Sequence, residues 1–128
     1  MSSVEVFRTG NLIHAVYDGA MNMELVQSGE QQIETLLRTT PEPVILYDTL
    51  KMAPPPIELA IEMKKFDSRI RHLVRRSATV VPDAMTAFMA KVAFALSRDH
   101  KVFYGDLDAA LRWLSEAVSG SESRAATR

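Results

Sequence analysis

Four consecutive apolar residues near the middle of the chain, Val44-Ile45-Leu46-Tyr47, constrain the fold more than any other feature. A strand with one face in water alternates apolar and polar residues, whereas an unbroken run suits a strand covered on both faces. The run therefore predicts a central strand with packing layers above and below it. Other strand signals surround it. Residues 4–7 and 12–17 are β-branched and aromatic-rich stretches separated by the turn signal Thr9-Gly10-Asn11, and they read as a β-hairpin. Residues 78–81 and 101–104 supply two further strands.

Between the strands lie helical patterns with readable ends. Asn22 is placed to cap a helix whose Leu25, Val26, Ile33, Leu36 and Leu37 share one side, and Gly29 falls in that stripe, where it permits close approach to a sheet. Pro54-Pro55-Pro56 forms a stiff entrance to a second helix, through Ile57, Leu59, Ile61 and Met63 to about Phe66. Pro82-Asp83 opens another, to about Ser97, and Gly105-Asp106 caps the last, through Leu107, Leu111, Leu114 and Val118. The expected fold is α/β: a single-layer mixed, mostly parallel sheet of about five strands packed with about four helices. With 128 residues and 47% hydrophobic content, the chain suits one core, placed here in residues 1–118. Residues 119–128 show no apolar pattern and are expected to form a disordered tail.

Charge and composition narrow the function. Lysine and arginine number 15 against 16 acidic residues, so no long-range field favours nucleic acid, and none is expected as a partner. No basic stretch followed by an apolar run opens the sequence, and no segment is long enough to span a bilayer, so a cytoplasmic location without membrane contact is expected. There is no cysteine, and His14, His72 and His100 have no ligand spacing. No phosphate-binding glycine loop or nucleophile elbow occurs. No metal, cofactor, catalytic residue or enzymatic activity is expected. Asp48, at the carboxyl end of the central strand, is read as a turn-forming group. The basic run Lys64, Lys65, Arg69, Arg71, His72, Arg75 and Arg76 is read as helix-end compensation followed by solvated loop arginines, offset by Glu58, Glu62 and Asp67.

Surplus hydrophobicity is the stronger clue. The second helix has a wide apolar arc, with Ile57, Ala60 and Ile61 to one side and Leu59, Met63 and Phe66 to the other. On the helix after Pro82-Asp83, Phe94 falls opposite the stripe of Met85, Phe88, Met89, Val92 and Leu96, and is expected to be exposed.

The order of elements, with the closing pattern Lys101-Val102-Phe103-Tyr104-Gly105-Asp106-Leu107-Asp108-Ala109-Ala110-Leu111-Arg112-Trp113-Leu114, resembles the STAS (anti-anti-sigma-factor) superfamily and in particular its SpoIIAA-like branch. The resemblance covers roughly residues 4–117 and implies a regulatory protein partner, of the anti-sigma type. Anti-anti-sigma factors carry Asp-Ser-Ser/Thr-Gly after the central strand, with a serine that is phosphorylated. Here the stretch reads Thr49-Leu50-Lys51-Met52-Ala53-Pro54-Pro55-Pro56-Ile57, with neither serine nor glycine, so the usual phospho-serine switch is not expected and Thr49 is the nearest substitute acceptor. The first functional expectation is a non-catalytic protein-interaction module whose contact surface combines loop 49–56 with the second helix. Thr49, Lys51, Met52, Pro54, Leu59, Met63 and Phe94 are its candidate contacts, and a homodimer is one assembly such a surface allows. The alternative is a carrier of a small apolar or lipid-like ligand, suggested by seven methionines that can line an adaptable cavity. A protein-docking module needs no sizeable cavity, whereas a carrier does.

Overall fold

The computed structural model describes residues 2–83, 86 and 99–126. Five strands form one sheet in the order β1-β2-β3-β4-β5: Ser3–Thr9, Leu12–Gly19, Val44–Met52, Arg76–Val81 and His100–Tyr104. β1 and β2 are antiparallel and the other three pairings are parallel. The hairpin closes through Gly10-Asn11, with Thr9 opposite Leu12 and Gly10 at φ +62°, a backbone region that a glycine at the first central position of a tight hairpin turn enters without Cβ strain.

Three α-helices are described: α1 (Met23–Leu37), α2 (Ile57–Ile70) and α3 (Leu107–Ala126). The expected caps form. Asn22 Oδ1 accepts from the Leu25 N–H at 2.8 Å, and Asp106 Oδ1 accepts from the Ala109 N–H at 2.9 Å. The fourth expected helix, with Phe94, lies outside the described residues, although Asp83 does accept from the Thr86 N–H at 2.8 Å, as an N-cap would. α3 has helical backbone through 119–126, where the sequence pattern suggests a disordered tail; no packed face is needed for a helix to propagate from an already formed one.

The central strand is covered on both faces. Ile45 and Tyr47 join Ile13, Val26, Ile33, Leu59, Phe66 and Ile70 in the core under α1 and α2, while Val44 and Leu46 join Ala78, Val80, Ala110 and Leu114 under α3. Gly29 is where α1 comes closest to the sheet: a Cβ there would sit 2.7 Å from Val4 Cγ1.

Of the boundaries that differ from expectation, two matter most for the site. β3 continues to Met52, because Lys51 and Met52 pair with Asp18 and Gly19 after a register shift at Val16/Asp18 and the Ala53 N–H donates to Gly19 O. Much of the expected loop 49–56 is therefore strand, and only 53–56 connects it to α2. α2 also extends to Ile70, which places Asp67 inside the fold at 3% exposure.

Candidate site between the sheet edge and the second helix

A cavity of about 430 Å³ opens between α2 and the carboxyl ends of β2, β3 and β4, in the size range of small-molecule sites. Met52, Pro54, Ile61, Met63, Phe66 and Val81 supply most of its apolar wall. Its polar side chains come from the strands and helices beneath: Tyr17 on β2, Glu30 on α1, Tyr47 on β3, Asp67 on α2 and Thr79 on β4. Parallel strands alternate their side chains, so Tyr47 and Thr49 reach this face while Leu46 is turned to the α3 side.

Behind the cavity runs a buried polar chain. The Tyr47 hydroxyl donates to Asp67 Oδ1 at 3.4 Å, Ser77 Oγ lies 3.3 Å from the same oxygen, and Arg71 pairs with it at 3.6 Å and donates to Ser77 Oγ at 2.9 Å. Ser77 Oγ is 2.6 Å from His100 Nδ1, and His100 Nε2 is 3.1 Å from Thr79 Oγ1. With Asp67 ionised against Arg71, the Ser77 hydroxyl donates to the carboxylate and accepts from His100 Nδ1–H, which leaves Nε2 to accept from Thr79. Burial, aided by the Arg71 charge, pushes the His100 pKa down to about 3, so the imidazole is neutral. Burial also raises the Asp67 pKa, with Arg71, Ser77 and Tyr47 opposing that rise. The Tyr47 phenol is pushed well above its usual range by burial and by Asp67, so it is a hydrogen-bond donor.

On the α1 side, two carboxyl groups share one guanidinium: Arg69 Nη2 is 3.7 Å from both Glu30 Oε1 and Glu62 Oε2. Glu30 Oε2 is buried and receives no N–H or O–H donor among the described residues. Burial first, then a hydrogen bond and charge repulsion from Glu62, raise the Glu30 pKa to about 8, so the pair holds a shared proton at neutral pH. Tyr17, also pushed upward by burial and by Glu30, lines the same side.

The expected contact residues are divided by this geometry. Met52, Pro54 and Met63 line the cavity, and Lys51 is exposed on the end of β3. Thr49 lines it too, but is only 2% exposed and donates its hydroxyl to Val80 O at 2.7 Å. Leu59 is a correction: at 4% exposure it is part of the core and faces the sheet, because the phase of α2 turns Leu59, Phe66 and Ile70 inward. The outward apolar residues are Ile57, 72% exposed, and Ile61, 47% exposed. Asp48 accepts from the Leu50 N–H at 3.1 Å, but it lies inside β3 between Val16 and Val80 and forms no turn, because β3 continues to Met52.

The arginines of the basic run are engaged rather than merely solvated. Arg69 and Arg71 have the partners above, Arg75 meets Glu42 at 3.0 Å, and Arg76 meets Glu116 at 3.8 Å and packs over the Trp113 ring. Glu62 and Asp67, which offset the run in sequence, prove to be partners in space. Tyr17, Glu30, Tyr47, Ser77, Thr79 and His100 carry no motif that would have gathered them. Among the described residues no acidic, histidine or cysteine cluster suits a metal ion, and no helix is long and apolar enough to cross a membrane.

Comparison with known proteins agrees with this architecture. An uncharacterized protein of the DUF3478 family with a SpoIIAA-like fold, from Shewanella loihica PV-4, superposes with a TM-score of 0.69 at 17% identity, covering 89% of this chain and 95% of that one. An anti-sigma factor antagonist from Mycobacterium paratuberculosis gives 0.65 at 14% identity, with 90% and 95% coverage. The anti-sigma factor antagonist SpoIIAA in its unphosphorylated form gives 0.53 at 13% identity, with 95% and 98% coverage. These likenesses carry the fold. No curated protein sequence matches. The SpoIIAA-like family model matches residues 12–115, and by that match, over most of its length, the chain belongs to the SpoIIAA-like family.

Proposed function

We propose that this protein is a non-catalytic binding module that holds a small apolar ligand between α2 and the sheet edge. The observation that carries the reading is the cavity of about 430 Å³, with apolar walls and a few converging polar groups. Such a volume left empty in water is unfavourable for its apolar walls, and an apolar occupant gains the burial that they offer. The usual phospho-serine switch has no place in this reading. Thr49 is buried and donates its hydroxyl to Val80 O, so it is not presented at the surface as a phospho-acceptor.

A second reading, a regulatory protein-interaction module, draws on the exposed Ile57 and Ile61, which share the mouth of the cavity with Met52 and Pro54. Two structural neighbours, both anti-sigma factor antagonists, point the same way. The two readings separate on one experiment. Titration with the neutral fluorescent probe N-phenyl-1-naphthylamine is expected to show saturable one-site binding. Ala60→Trp, which adds an indole to an exposed helix position on the cavity wall, is expected to weaken it about tenfold with little loss of stability. Absence of saturable binding, or binding that Ala60→Trp leaves unchanged, overturns the ligand reading and leaves the protein partner.

A further inference from the structure

On the α1 side of the cavity, carboxyl groups outnumber guanidinium groups, and a proton makes up the difference at neutral pH. On the α1 side Glu30 and Glu62 share Arg69, and Glu34 adds further negative charge. Asp67 is matched by Arg71, whose Nη2 serves it and Ser77 while its buried Nε and Nη1 meet no acceptor among the described residues. Lys64 lines the cavity from an exposed position on α2, so its ammonium can stay in solvent. Glu30 itself is buried, with its side chain 8% exposed, lines the cavity and leaves Oε2 without a donor among the described residues. The buried Tyr17 phenol lies on the same side of the cavity, close enough for the Glu30 charge to raise its pKa.

Resting on the apolar-ligand reading, we infer that the ligand carries a protonated amine, whose ammonium takes a place between Glu30 and Tyr17 while its apolar body lies against Met52, Met63 and Phe66. At neutral pH a proton shared by Glu30 and Glu62 balances the pair against Arg69; an ammonium can take the place of that proton, leaving both carboxyl groups ionised and bringing three N–H donors. A carboxylate ligand meets like charge at the same place. A neutral alcohol gains a hydrogen bond but leaves the shared proton where it is.

The inference has a signature in protons. Glu30, with a pKa of about 8, is mostly protonated at pH 7, so an ammonium that pairs with its carboxylate releases about 0.9 of a proton per ligand. Calorimetric titration with n-octylamine, 1-octanol and octanoate at pH 7, in two buffers of different ionisation enthalpy, reads affinity and proton release together. The amine is expected to bind about tenfold more tightly than the alcohol, with that proton release, and octanoate least tightly. Glu30→Gln, which keeps the shape of the side chain, is expected to remove the amine's advantage over octanol and the proton release. Glu62→Gln, which leaves Glu30 and Arg69 as a one-to-one pair, is expected to reduce both, and keeps the test informative if Glu30→Gln folds poorly. Octanol binding as tightly as octylamine, or an amine preference that survives both substitutions, overturns the amine inference but leaves the apolar-ligand reading standing. If neither these compounds nor the naphthylamine probe binds, the reading of the cavity falls as well.

Discussion

The buried His100 makes a quantitative prediction about acid stability. In the folded chain its imidazole is enclosed between Ser77 and Thr79, with the Arg71 charge close by, and its pKa lies near 3; in the unfolded chain it returns to 6.5. A base whose folded pKa is depressed contributes stability that is present above pH 6.5 and is lost as pH falls toward 3, because the unfolded state takes up the proton first. Well below 6.5 the loss approaches about 1.4 kcal/mol per pH unit, which amounts to ~2 kcal/mol between pH 7.5 and 5. For a domain of this size that is a fall of roughly 8 °C in melting temperature. Other groups titrate in the same range, so the measurement is a difference: urea unfolding of the wild type and of His100→Asn, followed by circular dichroism from pH 7.5 to 5. The asparagine variant loses the ring and its bond to Thr79 and is less stable at pH 7.5, but it has no proton to gain. The stability gap between the two proteins is expected to narrow by ~2 kcal/mol over that range. A gap that stays constant with pH would show that His100 does not titrate differently in the two states, and would refute the buried neutral imidazole.

Other expectations are more local. Glu30 has the opposite sign: its folded pKa of about 8 against 4.5 unfolded gives stability that is present below pH 4.5 and lost as pH rises through 8, so unfolding midpoints should fall between pH 6 and 9 in the wild type and hold steadier in Glu30→Gln. Gly29→Ala should gain about 1 kcal/mol of helix propensity but lose more to the 2.7 Å approach of Val4 Cγ1, and chemical denaturation should show a net loss that reverses sign when Val4 is also made alanine. Thr49→Asp, a phosphate mimic at an exposed site, should here cost about 3 kcal/mol because it buries a carboxylate and removes the bond to Val80 O. A variant of unchanged stability would mean that Thr49 is accessible after all.

Local signals in the sequence determined the elements and their order. The unbroken run at Val44 announced a strand covered on both faces, Gly10-Asn11 a hairpin, and Asn22 and Asp106 the starts of helices, because each of these depends on a few neighbouring residues and on backbone sterics. The closing pattern around Trp113 carried the family. Tertiary structure alone decided the site. The phase of α2 against the sheet put Leu59 inside and Ile57 and Ile61 outside, a choice that a wide apolar arc leaves open. Pairing with β2 turned Lys51 and Met52 from loop into strand. Asp67, Ser77, Thr79 and His100 became one hydrogen-bonded chain, and Glu30 gained its proton, because desolvation and charge proximity act through space between residues that the sequence holds far apart.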